Sequence, residues 1–89
     1  MAKAEIGWKG LSADGEKRDV YAHRVGDRWV FFDRERRFES WRPLPEPCLE
    51  DWMELLAAVE RRVSRRLHRP EEPDRIRKAI KERFPDAPV

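Results

Sequence analysis

The chain has 89 residues, of which 43% are Asp, Glu, Lys or Arg and 39% are hydrophobic. That length suits one small domain, residues 1–89, excludes the large layered enzyme architectures and leaves little room for a deep ligand cavity. With 20 basic against 18 acidic side chains the formal charge is only +2, so any binding of a polyanion has to come from a local patch.

The single cysteine, Cys48, cannot form an internal disulfide, and the opening MAKAEIGWKG lacks the apolar run of a signal peptide. A cytoplasmic, reducing location is the expectation. The longest mainly apolar stretch, near Trp52 to Val59, is interrupted by Glu54 and is too short to cross a bilayer.

Residues 5 to 42 read as strands. Asp14-Gly15 and Gly26-Asp27 each stand between extended-looking runs, which is the signal of a two-residue type I′ or II′ hairpin. A tip at Gly26-Asp27 sets Arg24 opposite Trp29, Ala22 opposite Phe31, Tyr21 opposite Phe32, Asp19 opposite Arg34 and Arg18 opposite Glu35. A tip at Asp14-Gly15 sets Trp8 opposite Tyr21, Ile6 opposite His23 and Glu5 opposite Arg24. Opposed residues share a face. The core face is then expected to carry Ile6, Trp8, Tyr21, His23, Val30 and Phe32, and the other face Lys9, Val20, Ala22, Arg24, Trp29, Phe31 and Asp33. A fourth strand is expected at about Phe38 to Arg42, its register open.

Pro43, Pro45 and Pro47 make the stretch 43–48 an extended connector rather than a ligand for a proline-reading domain, because the spacing is PxPxP. A first helix is predicted over about 49–68, where Leu49, Trp52, Met53, Leu56, Val59, Val63 and Leu67 recur at three- and four-residue steps. Acids at its start and arginines at its end suit the macrodipole. A second helix is predicted over about 72–84, with Ile76, Ala79, Ile80 and Phe84 on one side, leaving residues 85–89 as a mobile tail. The fold expected is α+β: an antiparallel meander of three or four strands, then two helices, the first packed on one face of the sheet.

No metal and no cofactor is expected, since His23, His68 and Cys48 lack the paired spacings of a zinc site and the four glycines form no phosphate-cradling loop. Cys48 stands ahead of a helix, where amides lower a thiol pKa, but Glu50 and Asp51 oppose a thiolate there. The carboxylates fall on paired strand positions or helix surfaces and not in a cleft. A non-catalytic chain is expected. The turn RPEEP lacks the glycine of a helix-turn-helix and is acidic.

Two surfaces carry the functional expectation. Trp29, Phe31, Arg24 and Lys9 form a candidate face for a protein partner or a second copy of the chain, aromatic and arginine side chains being enriched at interface centres. Arg61, Arg62, Arg65, Arg66 and Arg69 fall within a sector of roughly 140° at about 100° per residue, a candidate patch for nucleic-acid phosphates. The first reading makes the protein an interaction module, and the second a nucleic-acid binder.

Overall fold

The computed structural model describes residues 5–11, 15–26, 28–35, 39–65 and 69–89. Two compact units divide the chain, Met1–Pro47 and Cys48–Val89. The first is a four-stranded antiparallel meander in the order β1 (Ile6–Leu11), β2 (Lys17–Val25), β3 (Arg28–Arg34) and β4 (Arg42–Leu44). The second holds two helices, α1 (Leu49–Ser64) and α2 (Glu72–Arg83). The architecture is α+β, as the sequence predicts.

The β2–β3 hairpin forms in the predicted register, with Tyr21 opposite Phe32, Ala22 opposite Phe31, Arg24 opposite Trp29 and Asp19 opposite Arg34. Only residues 26 and 27 separate the paired Val25 and Arg28. Gly26 has φ +65°, the left-handed conformation that such a tight turn demands and that a Cβ disfavours.

The first hairpin differs from expectation by one residue. Ile6 faces Ala22, Trp8 faces Val20 and Lys9 faces Asp19, with Leu11 and Lys17 closing the ladder. The connection is thus residues 12–16, five residues in place of two, with Gly15 at φ +82°. Strand side chains alternate with period two, so a slip of one moves all of β1 to the opposite face. Ile6 and Trp8 therefore join Val20, Ala22 and Phe31, while Lys9 leaves them.

That slip overturns the expected core face. Ile6, Val20, Ala22 and Phe31 are buried, Phe31 to 2% exposure, whereas Tyr21, His23, Val30 and Phe32 are only half-buried. The first of these faces combines the small and aliphatic Ile6, Val20 and Ala22 with the Phe31 ring, large against small, which lets the side chains interdigitate closely. Trp8 meets Phe31 edge to face there, at 6.0 Å between centroids. The predicted pairs Glu5 with Arg24 and Arg18 with Glu35 do not form part of the ladders. Arg18 instead turns to Asp33.

β4 lies later than predicted, at Arg42–Leu44, and settles the parity: Leu44 opposes Phe31, Pro43 opposes Phe32 and Arg42 opposes Asp33. Pro43 was expected to open the connector, but a proline is tolerated on an edge strand whose other side needs no donor. Phe38 lies outside the described residues.

In the second unit α1 begins after Cys48, whose carbonyl accepts from Trp52 N–H at 3.2 Å, and carries Glu50 and Asp51 in its first turn. Trp52, Leu55, Leu56, Ala58 and Val59 are buried, so Leu55 and Ala58 join the predicted stripe while Leu49, Met53 and Val63 are only half-buried. The helix closes at Arg65, so the predicted end near 68 falls on residues 66–68, outside those described. α2 starts with a proline in its first turn, a position that needs no amide hydrogen, and buries Ile76 and Ile80. Arg83 lies over the Trp52 ring at 5.0 Å, and Arg77 bridges Glu60 of α1 and Asp74. Residues 84–87 close a turn in which Ala87 N–H donates to the Phe84 carbonyl at 2.9 Å and Ala87 is buried.

Candidate interaction surfaces

The four residues of the predicted docking face do not lie together. Phe31 belongs to the buried face, Trp29 on the same strand is half-buried, and Arg24 opposite Trp29 is exposed. Lys9 sits on the other side of the sheet, bonded to Asp19 at 2.8 Å. An open face built on Trp29 and Phe31 is therefore corrected: the misplaced register of β1 had assigned Ile6 and Trp8 to the wrong partners and left Phe31 on the outside.

The surface with exposed aromatic rings is the opposite one. Tyr21 and Phe32, directly opposed on β2 and β3, stack with centroids 5.0 Å apart and planes within 13°. His23, two residues along β2, stacks on both at 5.9 and 5.7 Å. Trp41, just before β4, meets Tyr21 edge-on at 4.6 Å and stays 37% exposed. The Arg34 guanidinium lies over the Trp41 ring at 4.3 Å, a cation–π contact that also uses one face of the indole. Alternation along β2 and β3 supplies three of these rings, and the turn into β4 brings the fourth.

Charge borders the rings on one side. Asp19 accepts from Lys9 at 2.8 Å and from Arg34 Nε at 3.2 Å, and these two cations hold its carboxyl below the ordinary carboxylate range, the Lys9 hydrogen bond foremost. Exposed Lys17, Arg28 and Val25 continue the same face, Val25 with 47% of its surface open. Nδ1 of His23 is buried with no hydrogen-bond partner among the described residues.

The sequence already contained the signal for this cluster, because the β2–β3 register places Tyr21, His23 and Phe32 on one face. The predicted register of β1 assigns that face to the core. Arg34 and Trp41 were missed as site residues because their meeting depends on where β4 returns.

The basic patch is described except for Arg66, which lies outside the described residues. Arg61, Arg65 and Arg69 are exposed and Arg62 is half-buried. Among the described residues none of these four enters an ion pair, and Glu60, the acid next to Arg61, is held by Arg77.

Cys48 is exposed, but partial burial of its sulfur pushes the thiol pKa up, and the Asp51 charge with side-chain hydrogen bonds to Asp51 and Glu50 adds to the rise against the opposing backbone hydrogen bond of Asp51. A thiolate is disfavoured at neutral pH. Among the described residues no cluster of three or more His, Cys, Asp or Glu is placed to hold a metal ion, and no helix is long and apolar enough to cross a membrane.

Compared with known proteins, the chain matches no family model, no curated protein and no solved structure. The surfaces themselves carry the functional argument.

Proposed function

We propose that this chain is a small, non-catalytic, cytoplasmic interaction module that docks a protein partner through the aromatic face of its sheet. The observation that carries the reading is the cluster of half-buried Tyr21, His23 and Phe32 with exposed Trp41, gathered on the face opposite the buried Ile6, Val20, Ala22 and Phe31. Aromatic side chains with arginine beside them are the composition of interface centres. A protein suits the cluster better than stacked bases do. A base needs an open π face. Here the rings stack on one another, and Arg34 covers one face of Trp41.

The test is affinity capture from cells with the wild type, with Trp41→Ser/Val30→Ser, and with Arg61→Ser/Arg62→Ser/Arg65→Ser. Circular dichroism checks that each variant is folded. The reading expects nuclease-resistant capture of a defined protein, lost in the sheet variant, retained in the helix variant, and cross-linked to β2 or β3. Capture that survives Trp41→Ser/Val30→Ser rejects it.

One observation favours a second reading, in which the end of α1 binds phosphates of a nucleic acid. Arg61, Arg62, Arg65 and Arg69 stand without an ion-pair partner among the described residues, while Glu60 is drawn toward α2. Binding of that kind weakens steeply with salt as counterions are released. The triple Arg→Ser variant should flatten the slope of affinity against salt, and no retention on heparin or nucleic acid at low salt eliminates the idea.

A further inference from the structure

The two edges of the sheet are unlike. β4 is three residues long and has Pro43 at its centre, which removes a donor and blunts pairing with another strand. β1 runs for six residues, contains no proline, and among the described residues has a neighbouring strand on one side only. A six-residue edge is long enough to template a further strand.

Two glycines in β1 point the same way. Gly7 and Gly10 lack the positive φ that would require glycine, which is confined to Gly15 and Gly26. A Cβ on Gly7 would meet the Val20 carbonyl oxygen at 3.5 Å, and one on Gly10 would meet Val20 Cγ2 at 3.7 Å, both ordinary van der Waals contacts. Neither the backbone nor the packing within the sheet calls for them, though glycine weakens a strand. Glycine inside a strand also marks the close approach of another backbone.

We propose that two copies of the chain join edge to edge, β1 antiparallel to β1 about a two-fold axis at Trp8, forming a continuous eight-stranded sheet. Opposed positions then sum to sixteen, so residues of like parity meet and each face continues across the junction. Gly7 receives Lys9 of the second copy, Gly10 receives Ile6, and Leu11 meets Glu5. Each glycine thus faces a larger side chain. Leu11, 64% exposed in the single chain, gains a neighbour. An axis one step further, at Lys9, would set like charges directly opposite, which is unfavourable. An axis at Gly7 would leave Gly10 and Leu11 outside the described ladder. A second copy is the occupant because this one stretch of sequence supplies both halves of the match, small against large, which an isologous interface requires. The edge is distinct from the aromatic face, so both can be occupied together.

Light scattering over a concentration series should give a mass approaching twice that of the chain. In a Cys48→Ser background, Glu5→Cys/Leu11→Cys alters two exposed positions and should yield a covalent dimer under mild oxidation, whereas Glu5→Cys alone should not. Trp41→Ser should leave the dimer intact. A monomer at all concentrations, or a dimer that the Glu5→Cys/Leu11→Cys pair does not capture, overturns edge pairing. A dimer lost on Trp41→Ser overturns it in favour of contact through the aromatic face.

Discussion

Arg18 and Asp33 form an ion pair at 3.1 Å across β2 and β3 on the buried face, with only 9% and 11% of their side chains exposed. The guanidinium also donates through Nε to the Leu11 carbonyl at 3.1 Å, and the other carboxylate oxygen takes Arg42 at 3.3 Å. One acid therefore links β2 to β4 while Arg18 reaches back to the end of β1. Desolvating two charges is costly, and the added hydrogen bonds are what make the arrangement tolerable.

Removing one partner leaves the other buried and poorly compensated. Arg18→Met should cost about 3 kcal/mol in urea denaturation, while Arg18→Met/Asp33→Leu should recover a good part of that loss. A neutral Arg18→Met would mean that Arg42 suffices for Asp33.

The assignment of the buried face rests on Phe31 and Phe32, neighbours that point opposite ways. Phe31→Ala should cost on the order of 3 to 5 kcal/mol as a large-to-small change in a core. Phe32→Ala should cost about 1 to 2 kcal/mol, because less area returns to water. Equal losses, or the reverse order in midpoint shifts at constant m, would invert the sheet.

Asp19 supplies a pH signature. Its folded pKa is depressed by Lys9 and Arg34, so the carboxylate contributes stability above the unfolded value of about 3.9, and that contribution is lost as pH falls through the folded value. Asp19→Asn should be less stable than the wild type at pH 6, and the gap should narrow as pH falls below the unfolded value and close once pH has passed through the depressed folded value, where the wild-type carboxyl is also neutral. A gap independent of pH in chemical denaturation would exclude the triad as its source.

Gly26, at φ +65°, closes the β2–β3 turn. Gly26→Ala should cost about 1 kcal/mol through left-handed strain, with no Cβ clash to add to it, since nothing lies within 4 Å. An unchanged melting temperature would show that the turn relaxes.

The class of fold, both helices and the β2–β3 register were legible in the residues. Each rests on local rules: three- and four-residue apolar spacing between Trp52 and Val59, prolines bounding α2, and Gly26 at a two-residue turn. The side on which β1 presents Ile6 and Trp8 was not legible in the same way. It depends on whether the connection is the two residues Asp14-Gly15 or the five residues 12–16, and Asp14-Gly15 is compatible with both. Nor could alternation alone choose the buried face, because Val20, Ala22 and Phe31 form one apolar set and Tyr21, His23 and Phe32 another. Tertiary packing made that choice: Ile6 and Trp8 add to the set of Val20, Ala22 and Phe31, and Arg18, Asp33 and Arg42 neutralise one another beside it. The rings remained half-open, joined by Trp41 and Arg34 through the return of β4. Strand periodicity records that two faces differ, but burial is a property of the assembled chain, decided by which face can close without leaving a charge unpaired.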